Sequence, residues 1–375
     1  NMMDDEQSQT LNMLDVMQRD SYVETISNIL DISQGNEVLK DLLLRGFYQN
    51  PNRVVHHENN SLLNRLIAAG KKSEWLCEHD GCTNPSIYSH ELSERAVLSY
   101  LADDNHKAFI LQRNLKNNSF EFSFEDKHIR NISNFAGYCS IHDEGLFKLI
   151  DDPGREVDLE YVNLQALKMM KRHMLDHEIT LKVAKNIATE INKKIDEIKG
   201  AEQIITGLQE SFDIFQQAIK DMESSSEALR VFYNNLWVGI QLREYIIDYR
   251  KIPCNKTGWV FSHSFEVIEE ESHERILSFI FKVDVNQQPV LIHAWDNTTL
   301  DSKHEDFYIS SEKVIECMLL NKEKLVFSLG FLKTMEITHL ERLLDDESIY
   351  NNVKNPVFIF LFKKIFLDEL EGDLG

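Results

Sequence analysis

Apolar residues recur at three- and four-residue steps through the first 70 residues, starting with Leu11, Leu14 and Met17. That period places the apolar side chains on one face of a helix. Asn50-Pro51-Asn52 breaks the pattern. A short helix is predicted from Leu62 to Ala69, and Gly70 ends it, as glycine commonly does just after a helix. We therefore predict a helical N-terminal cap over residues 1–72.

The next segment, residues 73–152, mixes short helical and strand-like patterns. A helix is predicted from about Glu91 to Ala102, and another begins near His142. Between them, Lys107–Arg113 and Ser119–Phe124 have the alternation of two strands in a β-hairpin. Asp151-Asp152-Pro153-Gly154 then breaks the pattern and marks a boundary.

Helical spacing returns in residues 153–252 and is sustained there. Apolar residues step by three or four in two long stripes, namely Val183, Ile187, Ile191, Ile195 and Ile198, and then Ile205, Leu208, Phe212, Phe215, Ile219 and Met222. This heptad-like spacing predicts a long αα-hairpin within the chain, with an intermolecular coiled coil as the alternative. A further, aromatic-rich helix is predicted from Leu229 to Tyr249.

From Gly258 onward the period changes to two. The predicted strands are Trp259–Ile268, Arg275–Val285, Pro289–Trp295, Leu325–Phe331 and Pro356–Phe362. Short helices are predicted between them at Ser311–Leu320 and Thr338–Leu344. The fold class is therefore α+β, and residues 253–375 form an antiparallel β domain with helices.

Composition narrows the class of protein. The chain has 375 residues, of which 42% are hydrophobic and 27% charged, as in ordinary globular proteins. No apolar run reaches the roughly 18 residues of a membrane helix, and five cysteines do not make a disulfide framework. We expect a cytoplasmic protein with no membrane contact. The net charge of −22 argues against avid nucleic-acid binding by phosphate neutralisation alone.

The most informative stretch runs from Cys77 to Phe147. It contains Cys77-x4-Cys82 and, further on, Cys139-x2-His142. Two close pairs of thiolate or imidazole ligands, each in a turn, are typical of a tetrahedral zinc site. We predict a zinc ion bound by these four residues, with His79 as a competing ligand. Because all four positions are filled by protein, this zinc should be structural.

The same stretch resembles the zinc-bearing HNH, or ββα-metal, endonucleases with a treble-clef zinc motif. The resemblance covers residues from about 75 to 147 and rests on Asn134-Phe-Ala-Gly-Tyr-Cys139-x2-His142-Asp143, with Ser89-His90 upstream. It implies that His90 is the general base, that Asn134 orients the site, and that Asp143 holds a catalytic Mg²⁺ or Mn²⁺.

Three features of the sequence depart from the family. Ser89 stands where an acidic metal ligand usually precedes the histidine, and Asp143 replaces a histidine or asparagine. The interval between His90 and Asn134 is also unusually long. Each residue has a structural alternative: His90 at the entry to a helix, Asn134 bridging a turn, and Asp143 facing a helix dipole.

Two functions therefore remain open. The first is a metal-dependent endonuclease, which family analogy places in bacterial, anti-phage type defence, with DNA or RNA as substrate. The second is a non-catalytic protein in which zinc staples a binding or sensor module for a protein or small ligand. In either case the long helical hairpin offers a surface for a protein partner or for a second copy of the chain.

Overall fold

We describe a computed structural model of the chain, covering residues 75–116, 119–197, 202–268, 275–286, 288–298, 310–335 and 337–368. The predicted N-terminal helical cap lies outside these residues. The described chain divides into two compact units. One contains residues 176–230, and the other contains residues 75–175 together with 231–368. The four domain boundaries stay a prediction, since nothing in the structure tests them.

The candidate zinc stretch contains short elements around one long hairpin. In chain order these are the strands and helix β1 (Tyr88–His90), β2 (Lys107–Lys116), β3 (Ser119–His128), β4 (Asn134–Ala136) and α1 (Ser140–Phe147). The hairpin β2–β3 is antiparallel, as its alternation predicted, and is longer than predicted at both ends. β1 pairs with β4 in a separate two-stranded antiparallel sheet.

The predicted helix from Glu91 to Ala102 is wrong. This segment forms turns followed by a 3-10 helix at Leu98–Tyr100. The Ser93 hydroxyl accepts a hydrogen bond from the backbone of Ala96, and the Ser93 carbonyl accepts from two successive N–H groups. Serine competes with the regular helical ladder in this way, so the segment coils tightly instead. The predicted apolar face is nevertheless buried, through Leu92, Val97, Leu98 and Leu101.

Two long helices follow, α2 (Leu159–Glu197) and α3 (Glu202–Leu242). Within the unit of residues 176–230, Arg230 pairs with Glu178, and Ser226 hydrogen-bonds to His177. Phe212, Ile219 and Met222 of the predicted stripe are buried. The pairing of the two stripes stays a prediction, because most of their side chains lie outside the described part of the structure. These are the side chains of Val183, Ile187, Ile191, Ile195, Ile205, Leu208 and Phe215. Residues 198–201, which include Ile198 and the connection between the helices, also lie outside it.

The predicted helix from Leu229 to Tyr249 is also wrong in its last third. α3 ends at Leu242, where Arg243 takes a positive φ of 58°, and the chain then forms the strand β5 (Ile247–Ile252). β5 pairs with β8, so cross-strand hydrogen bonds replace helical ones. The aromatic content of the segment suits both states, which is why the sequence pattern did not separate them.

The large sheet has seven strands in the order β3-β2-β9-β6-β7-β8-β5. Its remaining strands are β6 (Trp259–Ile268), β7 (Arg275–Val285), β8 (Gln288–Asp296) and the short β9 (Val326–Phe327). β6, β7 and β8 are antiparallel neighbours, as predicted. The hairpin β2–β3 joins this sheet through β9, so strands from the candidate zinc stretch and from the C-terminal segment share one sheet.

Among the described residues after β8 are the helices α4 (Ser311–Leu320), α5 (Leu329–Lys333), α6 (Ile337–Leu343), α7 (Asp346–Asn352) and α8 (Pro356–Phe366). The predicted strand Pro356–Phe362 is wrong, because this segment is helical. Asn355 caps the helix by accepting from the Val357 amide, and proline suits the first helical position. The predicted strand Leu325–Phe331 is confirmed only at β9 and then becomes α5.

Each face of the large sheet is packed. One face buries an aromatic core with the C-terminal helices that includes Trp259, Phe327, Phe331, Phe362 and Phe366. The start of α2 contacts β5 and β7. The Asn163 side-chain amide donates to the Ile247 carbonyl of β5 and accepts from the Ile247 N–H. The Tyr161 ring lies 6.4 Å from the Phe281 ring of β7. This docking fixes the N-terminal half of α2.

Within the part of the chain that the structure describes, none of the helices has the length and apolar character needed to cross a membrane.

Candidate metal centre and cleft

The four predicted zinc ligands converge. Their ligand atoms all lie within 4.8 Å of one another. His142 Nδ1 is 3.4 Å from Cys77 Sγ and 3.3 Å from Cys139 Sγ, and the sulfurs of Cys82 and Cys139 are 4.0 Å apart. With Zn–S bonds of about 2.3 Å and Zn–N bonds of about 2.0 Å, tetrahedral ligands lie about 3.5–3.8 Å apart. The cluster can hold a metal ion, and its geometry is compatible with zinc.

The two ligand turns have local causes. Between Cys77 and Cys82 the chain reverses tightly, with the Cys82 amide donating to the His79 carbonyl, and Gly81 supplies a φ of 71°. A non-glycine residue rarely adopts that conformation. In the second turn Cys139 is the N-cap residue of α1, which places its side chain at the N-terminal end of that helix.

The thiols of the cluster differ in acidity. Burial raises the pKa of the Cys77 thiol to about 11. The pKa of Cys139 is lowered, chiefly because the backbone N–H of His142 donates to its sulfur. A buried thiol of high pKa becomes a thiolate when a cation binds it, so metal binding by this cluster releases protons.

His79 is not part of the cluster. Its ring stacks on that of His142 with the centroids 3.8 Å apart and the planes 2° apart, and its edge faces Trp237 of α3. The competing-ligand interpretation therefore gives way to a packing role. By stacking on His142, His79 restricts the orientation of the ring that supplies the fourth ligand.

Two buried contacts fasten the ligand turns to the long helices. Lys171 of α2 donates to the Glu78 carboxylate at 2.6 Å, with side chains only 3% and 12% exposed. The hydroxyls of Tyr138 and Tyr233 lie 2.7 Å apart in the interior, joining the second turn to α3. The candidate metal centre is thus held from both helices.

The candidate general base His90 lies at the end of β1, directly opposite Asn134 of β4 in the ladder. Its Nε2 is 3.2 Å from the carbonyl oxygen of Ile129 and 3.6 Å from a carboxylate oxygen of Glu94. Because a carbonyl can only accept, Nε2 carries the proton, and in the neutral ring Nδ1 carries the lone pair.

Burial lowers the pKa of His90 below its ordinary value of 6.5. The charge of Lys168 also lowers this pKa, whereas Glu94 and the Ile129 carbonyl oppose the shift. The ring is therefore neutral at neutral pH, which is the state that a general base requires.

Asn134 and Asp143 have structural contacts in addition to their predicted roles. The Asn134 amide donates to the Arg130 carbonyl at 3.0 Å and so bridges the turn before β4. The backbone carbonyl of Asn134 accepts a hydrogen bond from the Arg172 guanidinium of α2 at 2.7 Å. Asp143 lies in the first turn of α1, where its charge suits the helix dipole.

His90 and Asp143 line the same cleft, which has a volume of about 1070 Å³. Its walls come from the segment after β1, from α1 and the following loop, and from α2 and α3, including Lys168 and Trp237. The charged lining is acidic overall, with the carboxylates of Glu94, Asp143, Glu144, Asp151, Asp152 and Glu160 against the basic groups of Arg95, Lys148, Arg155 and Lys168.

Lys168 and Glu94 are two cleft residues in contact with Asp143 and His90 that the sequence analysis did not predict. Lys168 carried a usable signal, because it falls four residues after Leu164 and seven after Tyr161, on the buried stripe of α2. A lysine at such a position is almost never fully buried without a role or a partner. Glu94 carried no such signal, since it falls on a segment mispredicted as a regular helix.

Comparisons of this chain with protein-family models, with curated proteins and with solved structures find no match.

Proposed function

We propose that this protein hydrolyses phosphodiester bonds in the manner of an HNH endonuclease, with zinc as a structural staple. One observation carries the proposal: β1, β4 and α1 follow each other around the candidate metal centre and place His90 and Asp143 in one cleft. The order strand, strand, helix is that of the ββα-metal motif, with the hairpin β2–β3 inserted between the two strands.

In this proposal His90 acts as the general base. Nδ1 takes a proton from water, the water oxygen forms a bond to phosphorus, and the bond from phosphorus to the leaving sugar oxygen breaks. The leaving oxygen then takes a proton from solvent. The Ile129 carbonyl fixes the tautomer that leaves Nδ1 basic, and Glu94 stabilises the imidazolium that forms.

Cys77, Cys82, Cys139 and His142 would hold the zinc, and with four protein ligands it would have a structural role only. Asn134 keeps β4 in register against His90 through its bonds to Arg130 and Arg172. A catalytic Mg²⁺ or Mn²⁺ on Asp143 was the expectation from the resemblance, and the assay has to be run with and without these ions. The setting in bacterial defence and the protein partner stay predictions.

The competing proposal is a zinc-stapled binding module without catalysis, and the acidic lining of the cleft favours it. Carboxylates repel the phosphates of a long nucleic acid, so such a cleft suits a cationic ligand better. The two proposals differ in whether His90 is needed for any chemical change in a substrate.

The test uses purified protein comprising the 375 residues, with its zinc content measured by elemental mass spectrometry. End-labelled single-stranded and duplex DNA and RNA are incubated with wild type, His90→Ala and His339→Ala. His339 is exposed on α6, so its variant controls for the substitution itself. We expect about one zinc per chain in all three proteins.

We expect cleavage of at least one substrate by wild type and His339→Ala, and a loss of about 10²–10⁴-fold in His90→Ala, as for other general bases. Cleavage at the wild-type rate by His90→Ala would show that His90 is not the general base and that the active site lies elsewhere. No cleavage by zinc-loaded wild type under any cation condition would favour the binding module.

A further inference from the structure

A buried ammonium group lies beside the proposed reaction site. Lys168 of α2 has a side chain only 2% exposed, yet it lines the cleft that contains His90 and Asp143. Its Nζ is 3.6 Å from Asp143 Oδ1 and 4.6 Å from the centroid of the Phe147 ring. Among the described residues, the Asp143 carboxylate and the Phe147 ring are the polar and aromatic contacts of Lys168 Nζ.

Both partners of this pair retain hydrogen-bonding capacity. At 3.6 Å the pair is an ion pair but too long for a hydrogen bond. Asp143 Oδ1 is buried and has no hydrogen-bond partner among the described residues. The contacts of Lys168 Nζ there are the ion pair and the Phe147 ring. Buried polar groups are normally satisfied, so the Nζ protons of Lys168 suit an added group that bears acceptor oxygens. Asp143 Oδ1 is itself an acceptor and needs a donor instead.

We propose that Lys168 binds the scissile phosphate and replaces the catalytic divalent cation of the resembling family, with Asp143 holding the lysine in place. This inference rests on the proposed function. An ammonium is a compact point charge that binds phosphate oxygens well. In the hydrolysis described above, the Lys168 ammonium offsets the negative charge that develops on the non-bridging phosphate oxygens. The attack of water, the proton transfer to His90 and the departure of the sugar oxygen are unchanged.

The surroundings of Asp143 disfavour a divalent cation. Ser89 stands where the family has an acidic metal ligand, and its side chain is buried. Ser89 pairs with Phe135 across the ladder and directly precedes His90 in β1. The side chains of Ser89 and His90 therefore point to opposite faces of the sheet. A cation bound to Asp143 alone would also lie next to the Lys168 ammonium, and the two positive charges would repel each other.

The experiment compares cation dependence in wild type, Lys168→Met and Lys322→Met. Single-turnover cleavage of the best substrate is measured in metal-depleted buffer and again with added Mn²⁺, with zinc content checked before and after. Lys322 is an equally buried lysine that lies over the Phe122 ring in the same compact unit and does not line the cleft. Its variant controls for removing a buried lysine.

We expect wild type and Lys322→Met to cleave without added divalent cation and to gain less than about threefold from Mn²⁺. Lys168→Met should lose about 10²–10³-fold, as when one stabilising donor is removed from an active site. Mn²⁺ should then restore part of its activity, because Asp143 no longer faces a fixed positive charge. A purely structural lysine would not produce that change in cation dependence.

Two results would overturn this inference while leaving the proposed function intact. One is a wild type that keeps its zinc but cleaves only when Mg²⁺ or Mn²⁺ is added, a result that does not depend on the variant folding. The other is a Lys168→Met protein that cleaves at the wild-type rate in metal-depleted buffer. If wild type cleaves nothing under any condition, the proposed function fails first and this inference with it.

Discussion

Replacing Glu78 with glutamine tests how strongly the candidate metal centre is fastened to α2. Glu78 directly follows the ligand Cys77, and its carboxylate accepts from Lys171 at 2.6 Å. Glutamine has nearly the same shape and keeps an acceptor oxygen, so the change removes the charge and little else. It leaves the Lys171 ammonium, which is 3% exposed, without a counter-charge.

The magnitude follows from the burial and the distance of the pair. At 2.6 Å and an effective dielectric constant of about 20, the attraction between the two charges is about 6 kcal/mol. Desolvation of both groups offsets part of this attraction, and removing one partner of a buried pair costs about 3–5 kcal/mol. Because glutamine still accepts from Lys171, we expect Glu78→Gln to lower the free energy of unfolding by about 3 kcal/mol.

The assay is urea unfolding of the zinc-loaded protein, followed by zinc release to a chromogenic chelator. With an m-value of about 2–3 kcal/mol/M, the midpoint of zinc release should fall by about 1–1.5 M. Glu223→Gln is the matched control, because it makes the same change in the pair with Lys185, whose side chains are 46% and 51% exposed. An exposed pair contributes under about 1 kcal/mol. Equal shifts in the two variants would refute the anchoring role of Glu78.

The remaining expectations concern the glycines, pH and salt. A Cβ at Gly137 would lie 2.5 Å from the Phe135 ring, so Gly137→Ala should destabilise the protein by about 1–3 kcal/mol. Gly145→Ala meets nothing within 4 Å in α1 and should stabilise it by about 0.5–1 kcal/mol, and denaturation curves with the two effects reversed would contradict this. Burial lowers the pKa of His90, so cleavage should persist below pH 6.5. Glu94 raises the pKa of His90, so Glu94→Gln should move the acid limb of the pH–rate profile to still lower pH. An upward move would contradict the assignment. Because the cleft lining is acidic, raising salt should speed cleavage of a long substrate at low concentration, and a steep loss of rate would count against this picture.

The candidate metal centre was predictable because its information is local. Cys77 with Cys82, and Cys139 with His142, each lie within a single turn, and the residue types alone define the chemistry. His79 has the same chemistry and similar spacing, and only the three-dimensional structure shows that it stacks on His142 instead. Local spacing therefore identified the site but did not choose among all neighbouring candidates.

The errors in secondary structure have a different origin. The run Pro356–Phe362 is continuously apolar, so it fits a buried strand as well as a buried helix. The cap at Asn355, followed by proline at the first helical position, is the local signal that favours a helix. Residues 247–252 become a strand because β8 offers them a partner, which no local pattern reveals.

Lys168 shows what sequence reasoning lacks at the cleft. Its position on the buried stripe of α2 could be read from the spacing, but its neighbours Asp143 and His90 come from segments 25 and 78 residues away in the chain. The docking of α2 on the sheet, through Asn163, brings the lysine to them. Such contacts depend on the packing of long-range elements.

The most direct test of the central claim is chemical rescue of His90→Ala. The cleavage rate of the zinc-loaded variant is measured at increasing imidazole concentration and at several pH values, with wild type alongside. If His90 is the general base, the variant should be at least about 10²-fold slower than wild type and should recover in proportion to the neutral form of imidazole. A His90→Ala protein that cleaves as fast as wild type, or that keeps its zinc and fold but does not respond to imidazole, would contradict the claim.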